Sequence, residues 1–147
     1  MKKGKIVCLF LLALTSIIKA QPDKILGLWL TEDDKSQVQI FKTPDGKYFG
    51  KILWLKDHKY DCDTKNPDVK LRSKKILGLQ LLNNFKFNTT DKEWVGGTVY
   101  DPDNGKTYDS YMWFDMNNNE LHLKGYVLGM RFLGRQTLWK RENNLRN

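Results

Sequence analysis

Cysteine is scarce in this chain, and long apolar runs are absent. Of the 147 residues only Cys8 and Cys62 are cysteines. Cys8 lies inside the longest apolar stretch, Ile6 to Ile18, whose thirteen residues are too few for a membrane span of about 20. A transmembrane helix is therefore not indicated, and the fold must rest on its apolar core rather than on a disulfide framework.

The amino end has the pattern of a secretory signal peptide. The basic segment Met1–Lys5 precedes the apolar stretch, and Ala20 provides a small residue at the end of it. We predict that residues 1–20 are a signal peptide, that the protein is exported to the periplasm or beyond the cell, and that residues 21–147 form one domain. An uncleaved anchor is the alternative. Cys62 is then the single cysteine of the mature chain, so a disulfide through it would give a Cys62-linked dimer.

The mature chain has a modest net positive charge and no long basic run. The formal net charge is +8, but four of the lysines that produce it lie within residues 1–20 and no acid does, which leaves +4 for residues 21–147. The remaining lysines and arginines are scattered among acids and form no run of five or six. A nucleic-acid-binding surface is therefore not expected.

Motifs of the common enzyme and metal-binding classes are missing. There is no G-x-S-x-G, no H-E-x-x-H and no phosphate-binding loop. His58 and Cys62 are four residues apart, but the aspartates around them disfavour a thiolate, which makes a free thiol in a surface loop the better interpretation. The aspartates of segment 61–68 lack the glycine of a calcium loop. We predict no enzyme activity, no catalytic residue, no cofactor and no metal.

What the mature chain does contain is a series of short strand patterns separated by turn residues. Turn signals recur about every ten residues, among them Thr43–Gly46 and Asp101–Gly105. This spacing favours an all-β antiparallel barrel or sandwich of about eight strands. The segment Ile76–Phe87 is ambiguous between helix and strand, and we interpret it as a turn followed by a strand. The predicted strand segments are Ile25–Thr31, Gln37–Thr43, Lys47–Leu55, Ile76–Phe87, Glu93–Tyr100, Lys106–Met116, Glu120–Leu128 and Arg135–Arg141.

The longest connection predicted is the polar segment 56–75. Loops of this length are usually functional or contain a local helix. Within it, Asn66–Asp68 resembles a helix N-cap followed by a short helical turn.

The first strand carries a motif that resembles the calycin superfamily, which includes the lipocalins and the fatty-acid-binding proteins. The motif is Gly27–Trp29, combined with an arginine on the last strand. The resemblance implies that Trp29 closes one end of the barrel, that an arginine packs over its ring, and that Gly27 leaves room for it. Arg141 is the predicted partner and Arg135 the second choice. A guanidinium on an indole ring gains about 0.5–2 kcal/mol.

Nearly all of the mature chain also resembles a bacterial secreted family called domain of unknown function 2147. This resemblance implies a lipocalin-like barrel and an exported bacterial protein, and it implies no activity. The matching stretches are Gly27–Trp29, Asp45–Lys47, Gly50–Ile52, Asn66–Asp68, Gly96–Gly97, Tyr100–Pro102, Gly105–Tyr108, Gly125–Tyr126, Gly134–Arg135 and Trp139–Arg141.

A ligand inside the barrel is the first functional hypothesis. An eight-stranded barrel is either filled by side chains or holds one small molecule. Because side chains alternate along a strand, Arg135 shares one face with Thr137, Trp139 and Arg141. An inward Arg135 would suit a fatty-acid-like carboxylate, and the alternative is that Arg135 lies at the solvent rim. The predicted neighbours of the apolar part of the ligand are Tyr108, Met112, Leu121 and Leu123.

A second hypothesis is an envelope interaction or structural protein whose barrel is filled and which acts through the long 56–75 loop. The tryptophans and tyrosines do not separate the two hypotheses, since aromatic residues on strands are most often core residues. The two hypotheses differ in whether the interior of the barrel is hollow or filled by side chains.

Overall fold

The chain folds into a closed barrel of eight antiparallel strands, as predicted. The computed structural model describes residues 21–57, 61–117 and 119–147, so the predicted signal peptide and His58 lie outside the described residues. Each strand pairs with the next one along the chain, and β1 pairs with β8 to close the ring. The strands are β1 Gly27–Leu30, β2 Ser36–Lys42, β3 Tyr48–Leu55, β4 Gln80–Asn88, β5 Glu93–Asp101, β6 Lys106–Phe114, β7 Glu120–Tyr126 and β8 Gly134–Glu142.

The turns fall where the sequence predicted them. In the hairpin of β2 and β3, Gly46 has a φ of +81° and its N–H donates to the carbonyl of Thr43 (2.9 Å). The ambiguous segment Ile76–Phe87 is a turn followed by β4. Several strand ends differ by one or two residues. β1 begins at Gly27 because Ile25 belongs to a 3-10 helix, and β6 ends at Phe114 rather than Met116. β7 was predicted to reach Leu128 but ends at Tyr126, and Val127 begins the next connection with 46% of its surface exposed.

Because consecutive strands run in opposite directions, the connections gather at two ends of the barrel. The β1–β2, β3–β4, β5–β6 and β7–β8 connections lie at one end, which we call the open end; the others lie at the closed end. A 3-10 helix, Gln21–Ile25, precedes β1 at the closed end, and Ile25 is fully buried. Tyr48 Oη and Lys42 Nζ both donate to Asp23 Oδ1 (2.9 and 3.0 Å), which fastens this helix to β2 and β3.

Large side chains fill the half of the barrel next to the closed end. Trp94 is fully buried, and its ring lies 4.9 Å from Phe87, 5.2 Å from Phe114 and 6.3 Å from Tyr48. Edge-on and tilted aromatic pairs of this kind are favourable at 4.5–7 Å. The buried core consists of Ile25, Trp29, Val38, Ile40, Tyr48, Ile52, Ile76, Leu81, Leu82, Phe85, Trp94, Met112, Leu121, Leu123 and Trp139.

Trp29 lies in this core and is covered by Arg141. The Trp29 side chain has no exposed surface, and its Nε1 donates to the carbonyl of Ile25 (2.8 Å). The Cζ atom of Arg141 lies 4.2 Å from the ring centroid, and the guanidinium also donates to the carbonyls of Leu26 and Lys24. Gly27 has a φ of +122°, and a Cβ there would stand 3.4 Å from Arg141 Nη1. This is ordinary van der Waals contact, so the positive φ, rather than the space for Arg141, is what favours glycine here.

A bulge in β3 decides which side chains face the barrel interior near the open end. Gln37 pairs with Trp54 and Val38 pairs with Ile52, so Leu53 is an extra residue. An extra residue reverses the alternation beyond it. Trp54 consequently points outward, where its Nε1 donates to the carbonyl of Asn147 (3.0 Å), and Leu55 points inward.

Candidate functional site

The half of the barrel next to the open end is not filled. It contains a cavity of about 860 Å³ that opens between the four connections at that end. Cavities of about 300–1,000 Å³ are the usual size of small-molecule sites. The second hypothesis of the sequence required a filled barrel, and this half of the barrel does not meet that requirement. The apolar wall of the cavity is formed by Ile52, Leu55, Ile76, Leu81, Val99, Leu123 and Trp139.

Charged side chains are confined to the rim of the cavity. Among the described lining residues, every charged one lies on a connection at the open end or within two residues of a strand end there. Several are paired: Arg135 Nη2 lies 3.6 Å from Glu32 Oε2, and Lys35 Nζ lies 3.9 Å from both Asp33 and Asp103. The wall below the rim therefore offers apolar surface with few polar groups. The charged lining residues are Glu32, Asp33, Lys35, Lys56, Asp57, Lys65, Asp101, Asp103 and Arg135.

The structure places three of the predicted ligand-binding residues on the cavity and two away from it. Tyr108, Leu123 and Arg135 line it, with Arg135 at the rim and its side chain 76% exposed. Met112 and Leu121 do not line it, because they are fully buried in the closed core. Strand alternation indicates which side chains point inward and not how far along the barrel the core is filled, so it did not separate these two residues from those that line the cavity.

Several lining residues were not identified from the sequence. Thr137 and Trp139 were placed on the same face of the last strand as Arg135, but they, Ile52, Leu81 and Val99 were not named as site residues. The alternation of inward-facing and outward-facing side chains along their strands was the sequence signal that could have identified them. Gly125 is also part of the wall: a Cβ there would approach the Cβ of Tyr108 to 3.3 Å.

The long β3–β4 connection forms part of the site and is internally structured. Asp63 N donates to the carbonyl of Lys74 (2.9 Å) and Ile76 N to that of Asp61 (2.9 Å), which brings the two ends of the loop together. The predicted helical turn is the 3-10 helix Val69–Leu71, capped by Asp68, whose side chain accepts from Lys70 N. The loop contributes Lys65 and Ile76 to the cavity lining.

A buried carboxylate ties this loop to the barrel. Asp63 is 1% exposed; its Oδ1 accepts from Tyr100 Oη on β5 (2.7 Å) and its Oδ2 from Asn66 Nδ2 (2.7 Å). Tyr100 is itself a lining residue. Burial and the hydrogen bond to Asp63 raise the pKa of the Tyr100 phenol from its usual value of 10.0 to about 12.

The raised pKa of Tyr100 predicts a loss of stability at alkaline pH. An unfolded phenol loses its proton near pH 10, while the folded one keeps it to about pH 12. The folded state therefore binds more protons in this window, so the free energy of unfolding falls as pH rises from 10 to 12 and is unaffected by this group below pH 10. Urea unfolding of wild type and Tyr100→Phe at a series of pH values measures the difference. Between pH 10 and 12 the free energy of unfolding of the wild type should fall more steeply than that of Tyr100→Phe. Parallel pH dependence of the two proteins would contradict the raised pKa of Tyr100.

The remaining sequence candidates are placed as follows. Cys62 is a half-buried free cysteine whose backbone forms an isolated antiparallel β-bridge with Lys75. His58 and any pairing with it lie outside the described residues. No group of three or more histidine, cysteine or acidic side chains that could hold a metal ion occurs in residues 21–57, 61–117 and 119–147. Over the same ranges no helix is long and apolar enough to cross a bilayer.

Comparisons with known proteins agree with the barrel architecture. The model of a bacterial family described as "Uncharacterized protein conserved in bacteria (DUF2147)" matches residues 27–141. Among solved structures the chain is similar to protein HP1028 from the human pathogen Helicobacter pylori, described as belonging to the lipocalin family. The two share 25% sequence identity and a TM-score of 0.70, over 82% of this chain and 84% of that one. None of the curated proteins matches.

Proposed function

Since the chain belongs to the bacterial family DUF2147 and folds as a lipocalin-like barrel, we propose that it is a non-enzymatic binding protein for a small apolar or amphipathic molecule. The observation that carries the proposal is the cavity of about 860 Å³ behind the open end. Folds alone do not determine functions, so the proposal rests on the site. Its volume and its largely apolar wall are in the range common for small-molecule sites, which supports the proposal.

The distribution of polar and apolar side chains along the cavity supports one orientation of the proposed ligand. An apolar chain would lie against the wall of aliphatic side chains and Trp139, where its burial contributes about 25 cal/mol per Å². A charged head would stay at the rim, because a charge moved below it would lose water without gaining a partner. Arg135 is the rim cation on the inward face of β8, and a fatty-acid-like carboxylate there would compete with Glu32 for the guanidinium.

The same proposal includes an exported location and the absence of catalysis. Residues 1–20 have the signal-peptide pattern, which supports function in the periplasm or outside the cell. The sequence contains none of the common catalytic motifs, which supports a binding role.

Filling the cavity with a side chain provides the test. Val99 lines the cavity on β5, and Val95, on the same strand, pairs with exposed Lys86 on the outer face. Titration of dansyl-labelled undecanoic acid should show saturable binding to wild type and to Val95→Trp. Val99→Trp should bind at least about tenfold more weakly, which corresponds to about 1.4 kcal/mol. Absence of saturable binding in wild type, or equal affinity of the two variants, would overturn the proposal.

A displacement experiment with the same probe tests the position of the charged head group of the ligand. Arg135→Gln should weaken displacement of the probe by undecanoic acid about two- to fivefold, the range of an exposed ion pair, and leave displacement by undecanol unchanged. Equal effects on the acid and the alcohol would remove Arg135 from the site.

A further inference from the structure

The exposed apolar side chains of this protein are concentrated at the open end. Of the nine exposed large hydrophobic residues among those described, only Met116 and Leu145 lie elsewhere. Solitary exposed apolar residues are normal on soluble proteins, whereas clustered ones mark interaction sites. The seven at the open end are Val69, Leu71 and Leu77 in the β3–β4 connection and Val127, Leu128, Phe132 and Leu133 in the β7–β8 connection.

The most exposed of these residues are not explained by folding. Leu128 is 85% exposed and Phe132 is 76% exposed. Leu128 also has a φ of +54°, a left-handed conformation that a leucine adopts at a cost and that asparagine or glycine would tolerate better. The loop is nevertheless fixed to the barrel wall, because Arg131 stacks 3.5 Å from the Tyr111 ring and lies 2.6 Å from Glu93.

The parts of these two connections that carry the exposed apolar residues contain no acid, although the β3–β4 connection as a whole also includes Asp57, Asp61, Asp63 and Asp68. Segment 69–77 contains four exposed cations and no acid. Segment 127–133 contains no acid, and its single cation, Arg131, is paired with Glu93 on the barrel wall. Apolar side chains interspersed with lysine and arginine are the composition of segments that lie in a membrane interface, where the cations meet anionic headgroups. Protein interfaces, in contrast, are depleted in lysine. The four cations are Lys70, Arg72, Lys74 and Lys75.

The position of the two connections also suits a flat partner. In a ring of eight strands, the β3–β4 and β7–β8 connections lie on opposite sides of the mouth. Both border the cavity, the first with Ile76 and the second with Val127 and Leu133. A surface that touches both therefore covers the mouth between them.

We propose that the open end docks on an anionic lipid bilayer, with Leu128 and Phe132 inserted among the headgroups and the cations of segment 69–77 against the lipid charge. The mouth of the cavity then faces the bilayer. Resting on the proposed function, this arrangement lets an amphipathic molecule pass between membrane and barrel without crossing water.

Vesicle co-sedimentation tests the docking. Residues 21–147, which contain the whole barrel, should bind vesicles of phosphatidylglycerol and phosphatidylcholine and bind pure phosphatidylcholine at least about tenfold more weakly. Leu128→Asn combined with Phe132→Ser should lower the partition coefficient at least about tenfold. Met116→Ser is the matched control, since Met116 is 99% exposed at the closed end. No binding to anionic vesicles, indifference to lipid charge, or an equal loss with Met116→Ser would overturn the proposal, and so would self-association of residues 21–147 in place of vesicle binding.

The vesicle result is separable from the proposed ligand binding. The Leu128→Asn, Phe132→Ser variant should keep its affinity for dansyl-labelled undecanoic acid in the absence of vesicles, because neither residue lines the cavity. Probe binding without vesicle binding contradicts the docking alone. Vesicle binding by a protein that does not bind the probe contradicts the proposed function and leaves the docking supported.

Discussion

Trp29→Ala should lower the free energy of unfolding by about 3–5 kcal/mol, the usual cost of deleting a large buried aromatic side chain. Trp29 has no exposed surface and packs beneath Arg141, and its ring centroid lies 5.8 Å from that of Phe114. The substitution leaves a cavity and also removes the ring on which the Arg141 guanidinium rests. Urea unfolding followed by circular dichroism measures the change.

Trp113→Ala is the control for the same chemical deletion on the outside of the barrel. Trp113 lies on β6 facing outward, where it stacks on Tyr111 at 5.1 Å and on His122 at 4.9 Å. Losing two such surface pairs should cost about 1 kcal/mol. Equal losses in the two variants, or a loss below about 1 kcal/mol for Trp29→Ala, would show that the buried indole does not close the barrel.

Gly105→Ala should lower the free energy of unfolding by about 2–5 kcal/mol and release the β3–β4 loop. Gly105 has a φ of +72°, which costs a residue with a Cβ about 1–2 kcal/mol. In addition, a Cβ at this position would overlap the carbonyl oxygen of Lys65, so the loop must move, and such overpacking costs about 1–3 kcal/mol. Urea unfolding measures the change in the free energy of unfolding, and limited trypsin cleavage after Lys65 reports the release of the loop.

Gly46→Ala separates backbone strain from the collision. Gly46 has a comparable φ of +81°, but nothing lies within 4 Å of the position its Cβ would take. Gly46→Ala should therefore lower the free energy of unfolding by only about 1–2 kcal/mol, the cost of the left-handed conformation. Trypsin cleavage after Lys65 should be unchanged. If both variants lose the same stability and resist trypsin equally, the contact between Gly105 and the loop has no energetic role.

The architecture was predictable because its signals are local. Turn residues such as Thr43–Gly46 and Asp101–Gly105 mark the strand ends, and alternation assigns inward and outward faces. Gly27, Trp29 and Arg141 were identified through the resemblance to calycins, and the observed placement of Arg141 over the ring agrees with that geometry.

The cavity was predictable only in part because its limits depend on residues far apart in the chain. Tyr108 and Met112 have the same alternation, yet one lines the cavity and the other is sealed in the core. The contact of Asp63 with Tyr100 joins residues 37 positions apart, and no local pattern signals it. The bulge at Leu53 turns Leu55 rather than Trp54 toward the interior, and it is likewise set by pairing with β2.

The closure of the ring between β1 and β8 has a consequence for the order of events in folding. Trp29 pairs with Val38 on one side and with Arg141 on the other. The hairpins of this chain can form while the rest is still being made, but the first strand keeps an unpaired edge until the last one exists. Such long-range closure is slow, on the order of milliseconds to seconds in β-barrels. A ribosome-bound or truncated chain that lacks β8 would therefore expose a strand edge beside a tryptophan, which is a template for aggregation.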